Sequence, residues 1–319
     1  MRRGLVVQKQ AVIDVGTNSI KMLVAHKCAS GDCKILFDRS LVVRLGEGVV
    51  STGLLSEEAM QRSAEAFSFF VQEGRKLGVV DFYAVGTQAL RIAQNSREFI
   101  DRVKKETGVE IRVISGDEEA QLSYRAAISR VGATEGVQLV FDVGGGSTEL
   151  IEGRGGMSLR KVSIPIGALS LHDAFFAGVD RPDAAQLAVA REYVAEALKV
   201  VSEIADDVSA DAPLIGIGGT LTTIARVILK TDRTEAPSLQ GRLLRLDEVN
   251  QTIALFSSMS LAERKRIPGL EEKRAEIILA GACLVAGFLE FMHRDSLVIS
   301  DRGLRYGVFE FLSEQSSPF

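Results

Sequence analysis

The chain has 319 residues, 46% of them hydrophobic and 25% charged, the balance of a soluble globular protein with room for about two domains. A formal net charge of only −4 excludes an overall basic field directed at nucleic acid or membrane, so a polyanion would have to be held by local basic side chains and loop amides. No apolar run reaches the ~18 residues of a spanning helix, and three cysteines do not make a disulfide framework, so a cytoplasmic protein is expected.

The basic start "MRRGLVVQKQAVID" has too short an apolar run for a signal peptide and leads into the first expected strand. Apolar runs at 11–15, 20–27 and 34–45, broken by "GTNS" and "SGD", predict a chain of hairpins. His26, Cys28 and Cys33 lie close together there; with no fourth ligand nearby they read as a strand edge with reduced thiols. Ser56 opens a helix in which Ala64, Phe67 and Val71 recur at helical spacing, and Gly78 stops it. A strand at 79–87, a helix at 96–108, a strand at 109–115 and a helix at 116–132 follow. Alternating strands and helices indicate an α/β sheet.

The second half repeats the programme. Residues 137–145, 147–153 and 158–167 read as three strands. Asp180 and Pro182 open a long helix with Leu187, Val194, Leu198, Val201 and Ile204 as its apolar stripe. Residues 212–219 form a strand feeding a helix from Thr220; a helical stretch from about 246 to 292, a strand at 296–300 and a final helix from Gly303 complete the chain. An N-terminal lobe over 1–124 and a C-terminal lobe over 125–302 are expected, with the helix at about 303–319 packing back on the first lobe. No Pro/Ser-rich linker separates them, so a cleft with a hinge near 122–135 is expected.

The two halves carry one signature. "AVIDVGTNSIKMLV" from residue 11 aligns without a gap with "VFDVGGGSTELI" from residue 140, pairing Asp14 with Asp142, Gly16 with Gly144 and Ser19 with Ser147. With "GIGGTLTT" at 216–223 this makes three glycine-hydroxyl loops after strands. Glycines let amides wrap an anion and hydroxyls add donors; one such loop alone reads as a tight turn, whereas three, two of them preceded by aspartates, point to an anion site. None is a P-loop or a dinucleotide fingerprint. The third runs into a helix, whose N-terminus favours negative charge. Carboxylates beside phosphate need an intervening cation, so Asp14, Asp142 and Glu149 are candidate Mg²⁺ ligands, with turn capping as the alternative.

In "VISGDEEA" Ser115 and Glu118 form the capping box S-x-x-E, which gives Glu118 a local task. Glu119 has none; it is a candidate general base for water, or on its own a solvated helix acid. Arg91, after a strand and short turn, could fork onto phosphoryl oxygens or be an ordinary surface arginine. Arg44 and Lys21 are weaker phosphate candidates.

Together "AVIDVGTNSIKMLVA", "VRLGEGV", "VGTQALR", "VISGDEEAQL", "FDVGGGSTELI", "GIGGTLTTIA", "IPGLEEKRAEIILAG" and "ISDRGLRYGV" resemble the exopolyphosphatase and guanosine pentaphosphate phosphohydrolase family, of the sugar kinase, actin and heat-shock-cognate ATPase superfamily. The resemblance implies two duplicated ribonuclease-H-like lobes with phosphate in the cleft. It places the catalytic glutamate on Glu119, its arginine on Arg91, and the acidic pair on Asp142 and Glu149. Phosphate loops fall on Thr17, Asn18 and Ser19, on Gly144, Gly145, Gly146, Ser147 and Thr148, and on Gly218, Gly219 and Thr220. Arg305 matches a family arginine, whereas Arg302 and Tyr306 depart from the usual "SDGALREGV". The chain resembles the short two-domain members.

The expected activity is release of terminal orthophosphate from inorganic polyphosphate with Mg²⁺. The 5′-phosphate of pppGpp is the alternative substrate, and a kinase-like phosphotransferase or a non-catalytic nucleotide sensor is the further alternative. Mn²⁺, an added K⁺ and a homodimer are compatible with the resemblance; no nucleic-acid or membrane partner is expected.

Overall fold

The computed structural model describes residues 9–26, 34–129, 131, 135–231 and 239–314. Cys28, Cys33, residues 130 and 132–134 of the expected hinge, and 315–319 of the expected final helix lie outside the described residues. These described residues fall into two compact units, one running to Ala126 and including Leu304 onward, the other from Ala127 to Gly303.

In the first unit β1 (Lys9–Val15), β2 (Ser19–His26) and β3 (Ile35–Val42) form an antiparallel meander. Helices α1 (Val49–Thr52) and α2 (Glu57–Lys76) lead to β4 (Asp81–Gly86), which pairs parallel to β1. After α3 (Gln88–Ile92) and α4 (Ser96–Thr107), β5 (Ile111–Val113) extends the sheet to the order β3-β2-β1-β4-β5 and leads into α5 (Gly116–Ile128). β1 is buried from Gln10 to Val15 because both faces are covered, which is why it reads as a continuous apolar run rather than an alternating one. One face, through Ile13, Val15, Ile20 and Met22, packs on Phe67, Phe70, Phe99 and Val103 of α2 and α4. α2 starts where its sequence dictates: Ser56 Oγ accepts from the Ala59 amide at 3.2 Å, with Glu57 and Glu58 in the first turn and Arg75 and Lys76 in the last.

The second unit repeats this order. β6 (Val137–Val143), β7 (Thr148–Arg154) and β8 (Met157–Ile164) form the meander, and α6 (Ala168–Phe175), α7 (Ala184–Leu198) and α8 (Ser202–Asp207) follow. β9 (Leu214–Ile217) pairs parallel to β6 and feeds α9 (Gly219–Leu229). β10 (Leu243–Arg245), α10 (Leu246–Ser258), α11 (Leu261–Arg264), α12 (Ile278–Phe291) and β11 (Ser296–Ile299) complete the sheet order β10-β11-β9-β6-β7-β8. The core is centred on α12, whose Phe288 stacks on Phe141 of β6 at 3.6 Å between ring centroids. α13 (Leu304–Glu314) belongs to the first unit, where Leu304, Tyr306, Val308, Phe309 and Leu312 cover Val12 and Leu23 on the second face of its sheet.

Several local expectations change. The helix expected from Asp180 and Pro182 is capped at Asp183, whose side chain accepts from the Gln186 amide, and a 3₁₀ turn at Lys199–Val201 breaks it before α8. Val194, Leu198, Val201 and Ile204 are nonetheless buried, because the turn keeps the apolar stripe facing the core. The stretch from 246 to 292 is not continuous helix. Glycine at 269 (φ +86), directly after Pro268, separates α11 from α12. α6 and β10 have no counterpart in the sequence reading.

Candidate functional site

In the first unit the turn after β1 is closed by Gly16 N–H donating to Ser19 O at 3.1 Å. The carbonyls of this turn are held from behind. Val43 and Arg44 amides donate to Asn18 O at 3.0 and 2.9 Å, and Gly46 N–H to Thr17 O at 2.8 Å. Arg44 adopts the left-handed region (φ 51) to do so, and a Cβ on Gly46 would lie 2.3 Å from Thr17 Cγ2. Thr17 and Asn18 are half-buried and Ser19 is buried. Asp14, 3% exposed, forms an ion pair with Lys21 directly across the strand pair, at 3.2 Å.

Arg91 and Glu119 meet in this same unit. Arg91 Nη1 donates to Glu119 Oε2 at 2.7 Å and to Ile114 O at 3.1 Å, with both side chains about a quarter exposed. The pair is brought together because α3 follows β4 and α5 follows β5, and β4 and β5 are neighbours in the sheet. The capping box is formed as its sequence requires: Ser115 N–H donates to Glu118 Oε2 at 2.9 Å and Glu118 N–H to Ser115 Oγ at 3.1 Å. The Ser115 amide and the Arg112 guanidinium hold the Glu118 carboxyl below its ordinary pKa. That carboxyl is therefore occupied structurally, and Glu119, the next residue, faces the arginine.

The second unit builds the same turn with different chemistry. Gly144 N–H donates to Ser147 O at 3.0 Å. Its carbonyls are held by the start of α6: Ala168 N–H donates to Gly144 O at 3.0 Å, and Leu169 and Ser170 amides to Gly145 O at 2.8 and 3.1 Å. Gly167 makes this approach possible, since a Cβ there would lie 2.5 Å from the Gly145 carbonyl. Across the strands, Asp142 stands directly opposite Glu149, so two carboxylates share one face of the sheet. Ser147 and Ser163 hydroxyls donate to Glu149 Oε1 at 2.7 and 3.0 Å. The Thr148 hydroxyl, expected among the phosphate donors, is buried and donates instead to Ile166 O at 2.7 Å.

The third glycine loop joins this pair. Gly218 (φ +104) caps α9, and a Cβ on it would lie 2.7 Å from Asp142 Oδ1, so the carboxylate rests against the loop backbone. Thr220 is buried in the first turn of α9. The sequence reading missed one residue here. The Arg274 guanidinium lies over Gly219, where a Cβ would come within 2.5 Å of Nη2, so a nearly buried cation stands at a helix N-terminus already suited to an anion. Its sequence signal is the arginine of "EEKRAEIILAG".

Two α/β units that share one five-strand order, to which the second adds β10 at its edge, and the same glycine turn after the first strand define the ribonuclease-H-like repeat of the actin-like ATPase fold. The model of the Ppx/GppA phosphatase family matches residues 23–314, and the chain belongs to that family of hydrolases. It is 30% identical over 308 residues to a bifunctional 3-dehydroquinate synthase/phosphatase of Fusobacterium nucleatum, covering 92% of this chain and 45% of that protein. It is 27% identical to exopolyphosphatase 1 of Mycobacterium tuberculosis (93% of this chain, 86% of that one). To a guanosine-5'-triphosphate,3'-diphosphate pyrophosphatase of Aliivibrio fischeri it is 28% identical (93% and 58%). The chain thus spans about half the length of the first and third of these relatives. The crystal structure of the Aquifex aeolicus Ppx/GppA family member matches with a TM-score of 0.77 at 30% identity, over 97% of this chain and 99% of that one. No helix among the described residues is long and apolar enough to cross a membrane.

Proposed function

We propose that the chain is an exopolyphosphatase that releases terminal orthophosphate from inorganic polyphosphate with Mg²⁺. Phosphatases of this family generally depend on a divalent metal. The observation that carries the reading is the Asp142–Glu149 pair: two carboxylates directly opposed across β6 and β7, next to a glycine turn, are the kind of oxygen donors that take Mg²⁺ beside phosphate. Among the described residues no group of three His, Cys, Asp or Glu side chains is placed to hold a metal. A two-carboxylate site fits Mg²⁺, which keeps waters and takes phosphate oxygens as its other ligands. Asp142 and Glu149 would hold the ion, which when bound neutralises phosphoryl charge; Asp14 already has an ammonium partner in Lys21.

The protein's own groups do the rest. Glu119 takes a proton from the attacking water as its oxygen bonds to the terminal phosphorus, and the anhydride P–O bond breaks to leave the shortened chain. Arg91 orients Glu119 and donates to the phosphoryl oxygens. Amides of Thr17, Asn18, Ser19, Gly145 and Gly146, with Gly218, Gly219 and Thr220 at α9, supply further donors. The similarity to the Aliivibrio fischeri enzyme makes pppGpp the alternative substrate. The test is orthophosphate release from polyphosphate and from pppGpp, with and without Mg²⁺, for the native protein and Glu119→Gln. Loss of at least about 100-fold is expected in the variant; full activity there would remove Glu119 as the base.

A further inference from the structure

The helix that carries Glu119 is seated on the last described helix of the chain. The first turn of α13 is tied to β3: Arg305 Nε and Nη2 donate to the two oxygens of Asp38 at 2.9 and 3.0 Å, and Tyr306 Oη donates to Asp38 Oδ2 at 2.7 Å. Arg305 Cζ also lies 5.0 Å from the centre of the Tyr306 ring. Tyr306, a departure from the usual "SDGALREGV", thus supplies a second donor to the carboxylate that Arg305 grips. One residue later, Gly307 meets the backbone of α5. A Cβ there would lie 2.0 Å from Leu122 O, 2.6 Å from its carbonyl carbon and 3.1 Å from its Cα. No side chain fits between the two helices at this point. Towards its end α13 closes on α5 again, Arg125 Nη2 donating to both Glu314 oxygens at 2.7 and 2.9 Å. Leu122 and Ala126 pack into the same apolar cluster as Leu304, Val308 and Phe309. Leu122 follows Glu119 by three residues, so the two lie on neighbouring positions of one helix face and move together.

We propose that Gly307, with the Asp38–Arg305–Tyr306 anchor at its side, positions Glu119 by setting where α5 lies. These are positioning residues: they reach the reaction only through Glu119, and the proposal rests on the reading of Glu119 as the base. Displacing a reacting group by about 1 Å can cost ~10²-fold in rate without weakening substrate binding.

The experiment measures kcat and KM for polyphosphate, in Mg²⁺ and with the full chain, for Gly307→Ala, Tyr306→Phe and Asp38→Asn, each alone and combined with Glu119→Gln. Gly307→Ala is expected to lower kcat by about 10- to 100-fold with KM within about twofold. Tyr306→Phe, which removes only a hydroxyl, should lower kcat about threefold. In the Glu119→Gln background neither should lower the residual rate further, a result that general loosening of the fold does not produce. Native kcat in folded Gly307→Ala, or losses that multiply with that of Glu119→Gln, would overturn the proposal. If Gly307→Ala does not fold, Tyr306→Phe and Asp38→Asn carry the same comparison. Undiminished activity of Glu119→Gln alone would remove the base itself, an outcome separate from the other two.

Discussion

The turns after β1 and β6 are the same backbone object with opposite electrostatic content. In each, a glycine amide closes onto a serine carbonyl three residues on, at 3.1 and 3.0 Å, and amides from beyond the third strand hold the turn's carbonyls. In each, an aspartate on the first strand faces its partner across the hairpin. In the first unit the partner is Lys21 and the charge is neutralised within the protein. In the second it is Glu149 and two carboxylates face each other. The repeat has preserved the backbone turn, while one cross-strand residue decides whether the aspartate faces an ammonium or a second carboxylate.

The sharpest break is to make the second hairpin electrostatically like the first. Glu149→Lys would place an ammonium opposite Asp142, and phosphate release is expected to fall about 10³-fold, equivalent to about 4 kcal/mol, with folding retained. Native Mg²⁺-dependent turnover in that variant would show that the acid pair is not the cation site. The converse concerns stability. Lys21→Met removes the ammonium from Asp14, which is 3% exposed, and should cost about 1–3 kcal/mol by denaturant unfolding. An unchanged midpoint would mean that the pair contributes nothing. Backbone geometry supplies a finer comparison. Alanine at Gly144 would put Cβ 2.6 Å from Ser147 O, whereas at Gly16 the distance to Ser19 O is 3.0 Å. Gly144→Ala should therefore cost about 2–3 kcal/mol and Gly16→Ala about 1 kcal/mol; the reverse ranking would contradict the geometry. The smallest effect lies outside both turns, at the cap of α5. The Glu118 carboxyl is held below 4.5, mainly by the Ser115 amide, so its contribution is present above that value and is lost as pH falls through the lower folded pKa. Protection factors of the amides in the first turn of α5, corrected for the intrinsic pH dependence of exchange, should fall in that window and stay unchanged between pH 6 and 8.

Much of this was legible because the deciding interactions are short in sequence. The capping box needs only Ser115 and Glu118, and the duplicated hairpin only an aspartate, glycine and serine at fixed spacing. Polarity patterns located most elements but failed where a break left burial unchanged. The 3₁₀ turn at Lys199–Val201 keeps Val201 and Ile204 in the core, so the stripe gave no sign of it. Thr148 showed the reverse failure, since a hydroxyl in a glycine loop looks like a ligand donor until Ile166 O accepts from it.

The sequence by itself determined which residues could do phosphate chemistry, because acid, glycine, hydroxyl and arginine are properties of residue type. It also determined the repeat, because an aspartate, a glycine and a serine recur at one fixed spacing in both halves. Only the tertiary structure decided the pairings that lie far apart in the chain. Arg91 reaches Glu119 because β4 and β5 are neighbours, the Arg274 guanidinium covers Gly219, and Gly307 lets α13 touch Leu122. Such contacts depend on which elements pack together, and packing of non-local surfaces is not written in any local pattern.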